Sequence, residues 1–215
     1  MSKKKAIFFD LDGVIVLTEP IHLAAWKEVL KDHSLPKDFF TLEEVFGKTD
    51  YSMAIELIDY FHLKEAPEAL CEEKKVYYLK LLEKPLPSPE GRNAFLKKVT
   101  QHYFLAVISS ATRKEVDEVL KKEKLSHYFH FALAFEDTKH HKPHPEPYQL
   151  AMEKANIPAE DILVIEDSPP GISAAKAAGL NVIALATTTA DPFKDQQLKT
   201  YQNYNQILKD LPQLL

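Results

Sequence analysis

Residues 6–13 read Ala6-Ile7-Phe8-Phe9-Asp10-Leu11-Asp12-Gly13, an apolar run that ends in two carboxylates and a glycine. An unbroken apolar run of this kind is typical of a strand buried on both faces, as the strands of parallel sheets are. The chain carries four more such runs, separated by helical patterns: Phe104–Ile108, Phe131–Phe135, Ile162–Ile165 and Val182–Ala186. This alternation predicts an α/β fold around a parallel sheet.

The segment between the first two predicted strands is unusually long. From Thr18 to Lys84 its pattern predicts three consecutive helices, Ile21–Asp32, Tyr51–Phe61 and Pro67–Leu82. A crossover between parallel strands needs far fewer residues. We therefore predict an α/β domain made of residues 1–17 and 85–215, with a small helical domain, residues 18–84, inserted into it. The remaining predicted helices, and a final strand and helix within Tyr201 to Leu215, belong to the α/β domain: Pro89–Thr100, Lys114–Lys124, Glu146–Asn156 and Pro170–Ala178.

The composition narrows the class of protein. The 215 residues include 27 Lys and Arg against 32 Asp and Glu, a formal net charge of −5. This acidic balance argues against a nucleic-acid partner, and no apolar run reaches the ~18 residues of a membrane-spanning helix. Cys71 is the only cysteine, so no intrachain disulfide can form. A cytoplasmic location is therefore the expectation.

Polar side chains follow the apolar runs. Because the carboxyl ends of parallel strands share one edge of a sheet, these side chains are expected to converge there. They comprise several carboxylates, a hydroxyl and, from the loop after the third strand, a cation: Asp10, Asp12, Ser110, Glu166, Asp167 and Lys142. Together they offer a nucleophile, a proton donor and hard oxygen ligands, which is the chemistry of phosphoryl transfer assisted by Mg²⁺.

The same residues resemble a known family. Phe8-Phe9-Asp10-Leu11-Asp12-Gly13-Val14, Ser110, Lys142-Pro143 and Glu166-Asp167-Ser168 with Gly171 are similar, in order, to the four motifs of the haloacid dehalogenase superfamily. The inserted helices resemble the small α-helical cap of the subgroup that contains β-phosphoglucomutases and many sugar-phosphate phosphatases. The resemblance implies a Rossmann-like core domain and a cap. It also makes a monomer the default expectation.

The resemblance implies a role for each charged residue. Asp10 would attack phosphorus and form an aspartyl-phosphate. Asp12 would protonate the leaving oxygen and later accept a proton from water. Mg²⁺ would be held by the Asp10 carboxylate, the Asp12 backbone carbonyl and Asp167, with Glu166 contributing directly or through water. Lys142 would neutralise the phosphoryl oxygens and hold Asp10.

The hydroxyl ligand of the phosphate has two candidates. Ser110 is the expected one, and its neighbour Ser109 is an alternative that the end of the strand leaves open. Either hydroxyl could also cap the helix that begins near Thr112. The backbone N–H groups of Ala111 and Thr112 are expected to add contacts to the anion.

Substrate choice is expected to come from the inserted helices. Gly47, Lys48 and Thr49 lie in the stretch that resembles the family's specificity loop. His22 is a further candidate contact, for which a structural role is equally open. Trp26 is expected to pack between helices, and Lys74 with Lys75 to lie on a solvated helical face.

The predicted activity is that of a magnesium-dependent phosphatase acting on a small phosphorylated metabolite such as a sugar phosphate. The alternative is a phosphomutase of the β-phosphoglucomutase type. These mutases carry an arginine in the specificity loop that binds a second phosphate, and this chain has Asp50 at that position. A carboxylate repels phosphate, so Asp50 favours transfer to water.

Overall fold

The computed structural model describes residues 5–32, 49–83, 85–187 and 198–215. The chain forms two compact units, one of Met1–Val16 and Ser88–Leu215, the other of Leu17–Pro87. We refer to them as the α/β unit and the helical unit. The assignment of residues 1–17 and 85–215 to catalysis, and of 18–84 to a cap, stays a prediction.

The α/β unit is built on a six-stranded sheet of order β3-β2-β1-β4-β5-β6 in which each neighbouring pair is parallel. The strands are β1 (Ala6–Phe9), β2 (Phe104–Ile108), β3 (Phe131–Leu133), β4 (Ile162–Glu166), β5 (Asn181–Leu185) and β6 (Thr200–Tyr201). β1, β2 and β4 are buried along their whole length, as their apolar sequences require. The predicted α/β class with a parallel sheet is confirmed.

The helices follow in chain order. The helical unit contains α1 (Glu19–Val29), α2 (Asp50–Phe61) and α3 (Pro67–Leu82). The α/β unit contains α4 (Arg92–Val99), α5 (Arg113–Lys122), α6 (Glu146–Ala155), α7 (Pro169–Ala177) and α8 (Tyr204–Leu214). Short 3₁₀ turns are formed by Ser126–Tyr128, Phe135–Asp137 and Ala159–Asp161. Among the helices described, none is both long and apolar enough to cross a membrane.

The third predicted strand was wrong at its carboxyl end. β3 stops at Leu133, and Phe135–Asp137 forms a turn instead. The side chain of Asp137 accepts the backbone N–H of Ala134 at 2.7 Å, while the N–H of Phe135 donates to the carbonyl of Ala111 at 2.9 Å. Apolar side chains at 134 and 135 imitate a longer strand, but these two bonds turn the chain away from the sheet.

Each unit has its own core. In the α/β unit, apolar side chains of β1, β2 and β4 pack against α6 and α7. In the helical unit, Trp26 is fully buried and packs with Leu30, Met53 and Leu57. The expected packing role of Trp26 is confirmed.

Candidate active site

Strand register brings the ends of three strands level. Phe9, the last residue of β1, is paired with Val107 of β2 and with Ile165 of β4. The N–H of Asp10 continues the ladder by donating to the carbonyl of Ile165 at 3.1 Å. Asp10 therefore lies between the ends of β2 and β4, at the edge of a parallel sheet where ligands bind.

A tight turn follows β1 and carries Asp12. The N–H of Gly13 donates to the carbonyl of Val16 at 2.7 Å, and the N–H of Val16 donates to the carbonyl of Leu11 at 3.1 Å. Gly13 has a φ of +73°, in the left-handed region where a side chain is strained. The sequence Asp-Leu-Asp-Gly thus turns the chain back immediately, and it keeps Asp12, which is half-buried, two residues from Asp10.

Lys142 joins the acidic residues of this edge. Its Nζ donates to Asp10 Oδ1 at 2.6 Å, to Glu166 Oε1 at 2.6 Å and to the carbonyl of Ile108 at 2.9 Å. Burial lowers the pKa of this ammonium, but the Asp10 and Glu166 carboxylates outweigh burial and hold the pKa well above its usual value. Lys142 is therefore charged and lies between two carboxylates. Its contact to Asp10 is the one that the family resemblance implied.

Glu166 is fully buried and saturated with hydrogen bonds. Its Oε1 accepts from Lys142 and from the hydroxyl of Tyr148 at 2.9 Å. Its Oε2 accepts the N–H of Asp167 at 3.1 Å, and the N–H and hydroxyl of Ser168 at 3.2 and 3.0 Å. These contacts occupy both oxygens. A direct bond from Glu166 to a metal would have to displace one of these donors.

Sequence reasoning missed the parts that Tyr148 and Ser168 play. Tyr148 lies on α6, six residues after Lys142, at a position that reads as core. Ser168 is the N-cap of α7, and its Oγ also accepts the N–H of Gly171 at 3.2 Å. The capping pattern Ser-Pro-Pro-Gly was visible in the sequence. Only the fold shows that the same hydroxyl donates to Glu166.

Among the residues that the structure describes, Asp10, Glu166 and Asp167 form a buried acidic group, with one carboxylate oxygen of each within 4.8 Å of the others. Burial raises the pKa of Asp10 to about 7; Lys142 opposes this, and Glu166 and Asp12 add to it. Three buried carboxylates exceed the charge of one ammonium. A hard dication with oxygen ligands fits this excess, so the donor set suits Mg²⁺.

The hydroxyls at the end of β2 differ in exposure. Ser109 is buried, and its Oγ accepts the N–H of Ala111 at 3.0 Å. Ser110 is exposed. Ser110 therefore suits a role as phosphate ligand better than Ser109 does, and this role stays a prediction.

The backbone N–H groups expected to contact the anion after β2 both make other hydrogen bonds in the structure, and their role stays a prediction. The N–H of Ala111 already donates to Ser109, and the N–H of Thr112 donates to Glu115 Oε2 at 2.9 Å within a capping box. An anion would have to break these bonds to be held by either group. The helix cap thus occupies the N–H of Thr112, and the Ser109 hydroxyl occupies that of Ala111.

The predicted substrate contacts in the helical unit are partly outside the described residues. Gly47 and Lys48 fall there. Thr49 is the N-cap of α2, where its Oγ accepts the N–H of Ser52 at 3.1 Å. His22 lies within a polar cluster of the helical unit with Lys74, Asp50 and Tyr78.

In this polar cluster, Lys74 is buried, and the expectation of a solvated face was wrong for it. Its Nζ donates to His22 Nδ1 at 2.5 Å and to Asp50 Oδ2 at 2.7 Å, and it lies 4.7 Å from the centre of the Tyr78 ring. Burial lowers the pKa of His22 to about 3, an effect that Lys74 adds to and Asp50 opposes. His22 is therefore neutral, and the cluster holds one ammonium and one carboxylate.

Comparison with known proteins identifies the family. The family model for haloacid dehalogenase-like hydrolases matches residues 7–185, which include every residue of the group around Lys142. The chain belongs to the haloacid dehalogenase-like hydrolase family. A phosphorylated carbohydrates phosphatase of Thermotoga maritima is 30% identical over 183 residues, 83% of each chain. A fructose-1-phosphate phosphatase of Escherichia coli K12 is also 30% identical, over 82% of this chain and 94% of the relative.

Solved structures agree on the fold. The β-phosphoglucomutase of Clostridium difficile superposes with a TM-score of 0.79, at 22% identity, over 98% of this chain and 96% of that one. At this identity the likeness concerns the fold. It confirms the haloacid dehalogenase-like architecture expected from the four motifs, and the chain is a hydrolase of this family with curated relatives that are phosphatases.

Proposed function

We propose that this hydrolase is a magnesium-dependent phosphatase that acts on a small phosphate ester, with a sugar phosphate as the substrate class. One observation carries the proposal. Asp10 lies at the end of the central strand, where Lys142 donates to it at 2.6 Å and where the Glu166 and Asp167 carboxylates complete a buried acidic group. A nucleophile, a fixed cation and hard oxygen ligands thus meet within one unit.

The reaction would proceed in two displacements. A carboxylate oxygen of Asp10 attacks phosphorus, the ester P–O bond breaks, and Asp12 gives its proton to the leaving alkoxide. Asp12 then takes a proton from water, whose oxygen attacks phosphorus, so that inorganic phosphate leaves and the Asp10 carboxylate returns. Throughout, the Lys142 ammonium offsets the charge of the phosphoryl oxygens. When bound by Asp10, Asp167 and the carbonyl of Asp12, Mg²⁺ supplies further positive charge to the same oxygens.

The relatives support the substrate class. Two of them, each 30% identical over most of both chains, are named for phosphorylated carbohydrates and for fructose 1-phosphate. Another relative, 27% identical, is a pyrophosphatase of Bacillus mycoides. A phosphorylated carbohydrate is therefore proposed ahead of pyrophosphate. The monomeric state and the cytoplasmic location remain predictions.

Asp50 favours the phosphatase over the mutase, although for a changed reason. The sequence suggested that a bare carboxylate repels a second phosphate. In the structure Asp50 is paired with Lys74 at 2.7 Å, so the polar cluster of the helical unit carries no net charge. A cluster without excess positive charge lacks what an arginine supplies for binding a second phosphate. Water therefore remains the proposed acceptor.

The test follows phosphate release from a panel of sugar monophosphates and pyrophosphate, with and without Mg²⁺. Asp10→Asn keeps the size of the side chain and removes the nucleophile, so release should fall to background. Asp210→Asn is the matched control, because Asp210 is also an aspartate paired with a lysine in the α/β unit, but its partners are Lys199 and Tyr201 and not Lys142. Equal activity of Asp10→Asn and wild type would refute the proposal. Isomerisation of β-glucose 1-phosphate in the presence of glucose 1,6-bisphosphate, with little free phosphate, would establish the mutase instead.

A further inference from the structure

Tyr148 is a fully buried tyrosine with two contacts to the charged centre of the site. Its hydroxyl donates to Glu166 Oε1 at 2.9 Å. The centre of its ring lies 5.2 Å from Lys142 Nζ. A carboxylate oxygen accepts, so the phenol is the donor in this bond; burial and the neighbouring Glu166 also raise its pKa well above the usual value, with Lys142 opposing them. No motif of the family resemblance assigned this residue a role.

The oxygen that Tyr148 contacts is the one that competes with Asp10 for Lys142. Lys142 Nζ lies 2.6 Å from Glu166 Oε1 and 2.6 Å from Asp10 Oδ1, so its proton donors are divided between two carboxylates at equal distance. Each donor to Oε1 disperses part of its negative charge. With the phenol bound, Oε1 is a weaker competitor, and the ammonium stays against Asp10.

The Glu166 carboxylate cannot move to replace the hydrogen bond from Tyr148. Its Oε2 is held by Asp167 and Ser168. The helix start at Gly171 lies so close that a Cβ built there would be 1.7 Å from Oε1. The carboxylate is thus fixed in place, and the charge on Oε1 is set by the donors that reach it, Lys142 and Tyr148.

We propose that Tyr148 is a positioning residue that keeps the Lys142 ammonium against Asp10. Its hydroxyl donates to Glu166 Oε1, which the ammonium also contacts, and its ring lies beside the ammonium. The kinetic part of this inference rests on the proposed phosphatase function; the positioning itself does not. Loss of the hydroxyl leaves Oε1 with Lys142 as its strong donor. The ammonium then shifts toward Glu166 and away from Asp10.

The experiment compares Tyr148→Phe with Tyr201→Phe. Tyr201 is a matched control in the same unit, because it is also buried and its hydroxyl also donates to a carboxylate, Asp210 Oδ2, at 3.0 Å. The first readout is the ¹⁵N resonance of the Lys142 ammonium, assigned by its loss in Lys142→Met. The second is steady-state phosphate release with Mg²⁺, and thermal unfolding checks that each variant is folded.

For Tyr148→Phe we expect a shifted Lys142 resonance and a kcat about 10-fold lower, equivalent to about 1.4 kcal/mol, with KM changed by less than about threefold. Tyr201→Phe should leave both readouts as in wild type. Tyr148→Leu, which also removes the ring, should lower kcat further.

Other outcomes separate the two proposals. An unmoved Lys142 resonance in Tyr148→Phe, or equal changes in Tyr201→Phe, would overturn the positioning role whatever happens to kcat. A shifted resonance in a protein whose wild type releases no phosphate from any ester would support the positioning role and refute the phosphatase. A variant that shifts the resonance and loses kcat in step supports both.

Discussion

Gly171→Ala tests whether Glu166 and the start of α7 are as tightly fitted as the structure shows. A Cβ at this position would lie 1.7 Å from Glu166 Oε1 and 2.0 Å from its Cδ. Ordinary contact begins at about 3.4 Å, so the carboxylate would have to retreat by roughly 1.7 Å. That movement would break the bonds to Lys142 and Tyr148, now 2.6 and 2.9 Å long.

Two effects of opposite sign compete in this variant. Alanine in place of glycine in a helix stabilises it by up to about 1 kcal/mol. Hydrogen bonds to a charged group contribute about 1.5–3 kcal/mol each, and two of them are at risk. The loss of the two hydrogen bonds therefore outweighs the gain in helix propensity. We expect the free energy of unfolding to fall by roughly 2–5 kcal/mol and phosphate release to fall with it. Urea unfolding followed by far-UV circular dichroism measures the change, because the single tryptophan, Trp26, reports only the helical unit.

A double-mutant cycle provides the control. Glu166→Ala removes the atoms that the new methyl group would meet, so Gly171→Ala made in that background should be neutral or stabilising. This inversion of sign is the signature of the clash. If Gly171→Ala is as stable as wild type, or destabilises equally in both backgrounds, Glu166 does not pack against Gly171 as closely as the structure shows.

Three further predictions concern metal binding and the helical unit. Mg²⁺ at 100 times its Kd should stabilise the wild type by about 2.7 kcal/mol in thermal unfolding. Asp167→Asn should lose most of this stabilisation. Equal stabilisation of variant and wild type would contradict Asp167 as a metal ligand. His22 binds protons less readily when folded than when unfolded, so between about pH 6.5 and pH 3 the free energy of unfolding should fall as pH falls. His22→Gln should flatten that slope by at most about 1.4 kcal/mol per pH unit in urea unfolding, and an unchanged slope would show that His22 titrates normally. Asp50→Asn leaves the Lys74 ammonium buried without its carboxylate and should cost about 1–3 kcal/mol, discounted because Asp50 is itself 40% exposed. Trp26 fluorescence during unfolding measures it, and a fully stable variant would mean that Lys74 does not need this pair.

The sequence alone determined the fold and the position of the chemistry along the chain. Apolar runs such as Ala6–Phe9, alternating with helical patterns, are typical of strands buried on both faces of a parallel sheet, and the carboxyl ends of such strands share an edge. Asp10, Glu166 and Asp167 follow such runs, so their convergence could be predicted without coordinates.

Tertiary structure decided how these groups are held. Lys142 lies 132 residues from Asp10 in the chain, and its contacts to Asp10 and Glu166, like the hydrogen bond from Tyr148 to Glu166, join residues of separate elements. Periodicity cannot reveal this, because it records the neighbours of a residue on its own element and not those on another.

Lys74 shows the same limit in the helical unit. On α3 alone it is a charged helical residue among others, and a solvated position is the natural expectation. Its burial is possible only because His22 on α1 and Asp50 on α2 supply an acceptor and a countercharge. The cost of burying an ammonium is offset by partners that the fold brings together. The local pattern therefore determined which elements form, whereas the partners of the buried charges were decided by the packing of those elements.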